Sequence, residues 1–204
     1  MSRSKFEPKG HLEIWKIYED GEKELHWSEQ NVITSGMGVG LSNLFSASGS
    51  SSIKDYQITY FQVGTGGDLT GYDQTQYKLN THIPNSYDYG RLVQPDKDED
   101  YTVAFADVED LKPLENGSII VGSKPFAKIR YSNVHRVSKN AVRYTLVLSP
   151  RSCNVTDPLN EVGLFMRNPL GADPVAPILV AYRPFTDIKK TDAFTLVFLW
   201  TIQF

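Results

Sequence analysis

Along most of this chain apolar and polar residues alternate, instead of recurring every third or fourth position. That period of two marks strands with one buried face. The clearest run is 194–204, where Leu196, Phe198, Trp200, Ile202 and Phe204 share one face and Thr195, Thr201 and Gln203 share the other. Its end on an apolar residue predicts a terminus tied into a sheet. In 141–148, Val142, Tyr144, Leu146 and Leu148 line up in the same way. Further strands are predicted over 12–18, 23–32, 58–63, 101–108, 118–121, 127–133, 160–165 and 178–182.

Turn chemistry separates these runs. Glu19-Asp20-Gly21-Glu22 joins the first two strands, and Asp-Gly between β-rich segments is a strong hairpin signal. The interval 34–47 breaks the alternation. Met37, Val39, Leu41, Leu44 and Phe45 predict a short helix with one apolar face, and Thr34 or Ser35 offers an N-cap. A Ser-rich linker, 46–52, follows. Residues 68–100 are polar, Tyr-rich and poor in aliphatics, and read as a long irregular insertion. Pro150, Pro158, Pro169, Pro174 and Pro177 mark loops between short strands. The expected architecture is mainly β: one domain over 1–204, an antiparallel β-sandwich of jelly-roll type. It carries an N-terminal hairpin and helix (11–47) and the insertion at 68–100.

Charge narrows the partners. Lys and Arg number 21 against 24 Asp and Glu, with no basic block, so nucleic acid is not the expected partner. The single cysteine, Cys153, leaves no intramolecular disulfide and no Cys-rich zinc site. The amino terminus lacks a signal-like apolar core, and no stretch is long and apolar enough for a membrane helix, so membrane insertion is not expected.

Candidate chemistry is sparse. Gly36-Met-Gly-Val-Gly40 lacks the G-x-G-x-x-G spacing of a dinucleotide loop, and Gly64-Thr-Gly-Gly67 lacks the Gly-Lys-Ser/Thr of a phosphate loop. Asp96-Lys-Asp-Glu-Asp100 carries Tyr101 where a calcium loop needs glycine. His11, His26, His82 and His135 are scattered, and Cys153 has no assignable histidine partner. Ser149 and Ser152 stand outside any nucleophile elbow. Glu161 is a lone carboxylate, whereas glycoside hydrolysis needs a pair; it reads as paired with an arginine such as Arg183 or as capping backbone amides. The chain is therefore read as non-enzymatic, with no cofactor and no metal.

Two groups of segments carry a resemblance. The first is Phe61-Gln-Val-Gly-Thr-Gly-Gly67 with Asp73-Gln-Thr-Gln-Tyr-Lys-Leu79. The second is Asn160-Glu-Val-Gly-Leu-Phe165, Leu179-Val-Ala-Tyr-Arg-Pro-Phe185, Ile188-Lys-Lys190 and Trp200-Thr-Ile-Gln-Phe204. In this order they resemble tailed-bacteriophage virion proteins of the tail-collar, fibre-attachment and baseplate kind. Asn31-Val-Ile-Thr34, with the glycine-rich helix up to Leu44-Phe45, resembles the opening of such proteins. Val63-Gly64-Thr65-Gly66 departs from the acidic Gly-Asp-Gly of collar proteins, and the insertion is longer and richer in tyrosine.

The resemblance implies a structural component of a virion, made in the host cytoplasm. Its partners would be other virion proteins and copies of itself, at the tail, baseplate, collar or neck. Capsid decoration or a head fibre is the alternative station. From another class, a carbohydrate-binding sandwich would use Trp15, Trp27 or Trp200, whose strand positions suit a core better than a platform. Tyr72, Tyr77, Tyr87 and Tyr89 are the expected partner contacts, because tyrosine buries much area at little entropic cost and keeps a hydroxyl for pairing.

Overall fold

A computed structural model describes residues 7–46, 56–76, 79–80, 133–150, 153–154, 156–166 and 178–204, together with the strand backbone at 120–121, 124–125 and 127–128. The hairpin predicted at the start forms from β1 (Lys9–Tyr18) and β2 (Lys23–Ile33). Gly21 turns it at φ +87°, a left-handed conformation that costs glycine nothing. Tyr18 N donates to Glu22 O, and Gly21 N to Tyr18 O, both at 3.0 Å.

Beyond the hairpin come α1 (Ser35–Phe45), β3 (Ile58–Gly64), β4 (Ile120–Val121), β5 (Lys124–Pro125) and β6 (Ala127–Lys128). β7 (Val134–Ser138), β8 (Ala141–Leu148), β9 (Leu159–Met166), β10 (Ile178–Ile188) and β11 (Phe194–Gln203) complete the chain. The described strands other than the β4–β5 pair join in one nine-stranded sheet, in the order β6-β3-β9-β10-β2-β1-β11-β8-β7. Every described pairing is antiparallel, and the sheet curls into a half-barrel.

β2 is the fold line. It pairs with β1 as far as Asn31, then with β10 through Val32↔Tyr182 and Ile33↔Ala181 alone. Both halves feed one core. Leu12, Ile14, Leu146, Leu148, Leu196, Phe198, Trp200 and Ile202 come from one side, and Phe61, Val63, Val162, Leu164, Val180 and Phe185 from the other. Each such side chain contributes about 1.5–3 kcal/mol when buried, so the alternation in β8 and β11 is where much of the stability lies.

Several details differ from expectation. β7 was not anticipated at all, because Val134 and Val137 fall on opposite faces of this strand and Val137 is exposed, which leaves no apolar stripe. β10 runs past its expected end at Tyr182 and through Pro184. Its pairing with β2 stops at Tyr182, so the remainder is an edge on that side, where a missing N–H is tolerated. On α1, Met37, Gly40, Leu41 and Leu44 turn inward, whereas Val39 and Phe45 are exposed. At 3.6 residues per turn Val39 stands about 200° round from Met37, so the two cannot share a face. Thr34 is the N-cap residue, but its hydroxyl donates to Leu179 O instead of capping α1. Of the expected strands, 101–108 lies outside the described residues.

Between β10 and β11 the chain turns over a buried lysine. Lys190, 2% exposed, donates to Pro150 O at 3.0 Å, Asn154 Oδ1 at 3.3 Å and Thr191 O at 2.6 Å. Its ammonium also lies 5.1 Å from the Phe194 ring centroid. Three acceptors match the three N–H donors of an ammonium, which lets the charge stay inside. Cys153, between β8 and β9 in the stretch that supplies Pro150 and Asn154, is buried with φ 57°.

Candidate interaction site

β9 is buried on both faces. Val162, Leu164 and Met166 point into the main core, while Phe165 belongs to a second cluster with Leu79, Leu179 and Tyr182, flanked by Tyr60 and Tyr72. What covers this second face is the chain leaving β3: a strap comprising the described residues 65–76 and 79–80. Gly163 makes the seat, since a Cβ there would lie 2.8 Å from Leu79 Cδ1 and 2.7 Å from Leu179 Cδ1.

The strap is tied down by a carboxylate. Glu161 is fully buried. Its Oε1 accepts from Gly66 N at 3.3 Å, and its Oε2 accepts from Asn80 N and from the Tyr182 hydroxyl, each at 2.8 Å. Asn80 Nδ2 donates to Gly66 O at 3.0 Å, closing the two ends of the strap on each other. Gly67 N donates to Asn160 Oδ1 at 2.7 Å. Amide capping, one of the two readings of Glu161, is realised. Burial pushes the Tyr182 hydroxyl up, and the negative charge of Glu161 adds to the shift.

Arg183 serves a different carboxylate. Its N–H groups donate to Glu29 and to the Tyr72 hydroxyl. Its guanidinium lies over two rings, 5.4 Å from Trp27 and 5.1 Å from Tyr72. This cation–π stack spans the gap that opens between β2 and β10 once their backbone pairing ends. His26 Nε2 spans it further along, 3.2 Å from Thr186 O.

Two local turns stiffen the strap. Asp68 Oδ1 accepts from Thr70 N and Oγ1, and Asp73 Oδ1 accepts from Thr75 N and Oγ1. These hydrogen bonds hold both carboxyls below the usual range, the Thr70 backbone N–H leading for Asp68 and the Thr75 hydroxyl for Asp73. Gln74 O accepts from Ser35 N at 2.8 Å, joining the strap to the start of α1. Beside that junction a cleft of about 450 Å³ is lined by Lys9, Gln30, Asn31, Thr34, Met37 and Gln74, among others.

Of the four tyrosines singled out from sequence, only Tyr72 is described. Its ring packs on Tyr182 at 6.2 Å, so it covers the protein's own sheet. Tyr77, Tyr87 and Tyr89 lie outside the described residues, as do His82 and the acidic run 96–100. Trp200 is fully buried, and Trp15 and Trp27 are half-buried. Among the described residues no group of three His, Cys, Asp or Glu comes together to hold a metal ion. No described helix is long and apolar enough to cross a membrane. Sequence reasoning missed Asn80 and Tyr182 as partners of Glu161, because nothing in a linear pattern signals a side chain that reaches backbone far along the chain. Comparison with protein-family models, curated proteins and solved structures gives no match.

Proposed function

We propose that this chain is a non-enzymatic structural component of a tailed-bacteriophage virion, standing at the tail, baseplate, collar or neck, where it joins neighbouring subunits or attaches fibres. One observation supports the reading above others. The short segments that carry the resemblance are far apart in sequence yet meet at one built contact. Gly66 and Gly67 from the first, Leu79 after it, Glu161, Gly163 and Phe165 from β9, and Tyr182 from β10 all belong to the strap and its seat. The shared order of motifs thus has a shared physical cause. The same reading takes the half-barrel as a jelly-roll-like sandwich folded at β2. Phe185 of β10 packing edge-on against Phe198 of β11 at 6.0 Å is the contact between its two layers.

In this role the sheet is a rigid holder and the binding lies in what it presents. Neighbouring virion proteins and further copies of this chain are the partners, met through the insertion at 68–100 with Tyr77, Tyr87 and Tyr89, and no cofactor or metal takes part. Tyr72 braces the base of the insertion through Arg183. The test is immunogold labelling of purified particles of the phage that encodes the chain. Label at the tail, baseplate or neck is the expected result. Particles that lack the chain altogether would overturn the proposal, and label on the capsid would move it to a decoration or head-fibre role.

A further inference from the structure

We infer that Glu161 is a latch: its one buried carboxylate holds both ends of the strap, Gly66 and Asn80, in place against the sheet. The inference rests on the proposed reading, in which the insertion meets neighbours, and adds the residue that positions it.

The geometry divides the strap's attachments into two kinds. Tyr72 with Arg183 and Gln74 with Ser35 hold its middle. Its ends, Gly66 and Asn80, are held by Glu161 and by each other. Closing a loop costs chain entropy, and here Glu161 is the side chain of the sheet that binds both ends, beside the Asn80–Gly66 bond and the Gly67–Asn160 bond. Because Glu161 is fully buried, water has little access to its carboxylate, which makes its hydrogen bonds worth more than the same bonds at a surface. Tyr182 supplies the third donor from within the sheet. The carboxylate is therefore anchored from below while it grips the two amides above. A glutamine would present an N–H₂ where one of three donors needs an acceptor, so E161Q cannot satisfy all of them.

Amide exchange followed by NMR on the free, full-length chain tests this. In E161Q at least one of the Gly66 and Asn80 amides should lose about ten-fold or more of its protection, while β8 and β11 keep theirs. Y182F, which removes only the bond from below, should leave Gly66 and Asn80 within about two-fold of the parent. Unchanged protection at both amides in E161Q would overturn the latch, as would equal loss at the ends in Y182F. If E161Q unfolds the whole chain, N80P decides. It removes the Asn80 amide held by Glu161 together with the Nδ2 donor to Gly66 O, so it is read against N80A, which removes only the latter. A larger drop at Gly66 in N80P than in N80A, with the sheet intact, supports the latch, and equal values refute it. Particle labelling judges the virion reading separately, since these exchange rates need no partner.

Discussion

Trp200 on β11 donates its indole N–H to Asn31 Oδ1 on β2 at 2.8 Å, across 169 positions of sequence and β1 between them. Both residues are buried, and Asn31 occupies space that Gly10 leaves open, where a Cβ would lie 1.9 Å from Asn31 Oδ1. Asn31 is also the last residue of β2 to pair with β1 before the strand turns to β10. The bond thus pins the fold line of the sheet to a fully buried aromatic.

Asn31→Ala should therefore destabilise the chain by about 1–3 kcal/mol, the cost of leaving a buried N–H without its acceptor. Urea denaturation of parent and variant measures it. A midpoint that does not move would mean the indole finds another acceptor.

Deleting the last five residues removes Trp200 and Ile202, both fully buried, and Phe204, which packs against the core. It also removes the Phe204 N–H donated to Asn140 O at 2.7 Å. At about 1.5–3 kcal/mol per large apolar side chain, the loss approaches or exceeds a stability of about 5–15 kcal/mol. The truncated chain should be insoluble or unfolded by circular dichroism. Melting within a few degrees of the parent would contradict the core position of this strand.

Lys190→Met should cost about 1–3 kcal/mol, because Pro150 O, Asn154 Oδ1 and Thr191 O lose a buried donor together. Thermal unfolding reads the loss, and Lys190→Arg should restore little, since a planar fork cannot reproduce three converging bonds from one nitrogen.

Alkaline pH should weaken the fold. Burial pushes the hydroxyls of Tyr144 and Tyr182 up from the ordinary phenol range, so the folded chain keeps protons that the unfolded chain releases near about pH 10. Above that point the unfolded state binds fewer protons, and stability falls as pH rises. Below it the contribution is fully present. Denaturation midpoints taken across this range should decline, and the Y144F/Y182F double variant should flatten the decline. An equal slope in both proteins would sink the assignment.

Gly67→Ala should displace the strap, since the new Cβ would lie 2.1 Å from the backbone oxygen of Asn160, which is fixed in β9 and cannot swing aside. Faster proteolysis within 65–76, with an unchanged β-sheet spectrum, is the expected outcome. Cleavage at the parental rate would show that β9 yields instead.

The strands that bury one face were legible in the sequence because burial writes a period of two into the chain. Leu196 to Ile202 and Tyr144 to Leu148 read directly as inward stripes, and Asp20-Gly21 as their neighbouring hairpin's turn, for reasons that are local to a few residues. β7 was not legible, since its two valines, Val134 and Val137, stand on opposite faces and carry no such period. Nor was the run of β10 through Pro184, which depends on where β2 stops pairing. The inward face of α1 was partly misread, because which side of a short, glycine-rich helix meets the sheet is decided by what it packs on. Glu161 shows the division most plainly. Its burial beside Phe165 follows from its place in a strand covered on both sides, and a lone carboxylate there had to find donors. Which donors, Gly66, Asn80 and Tyr182, only the tertiary structure decided. Those amides reach Glu161 through the path of the strap, and long-range hydrogen bonds leave no periodic trace in sequence.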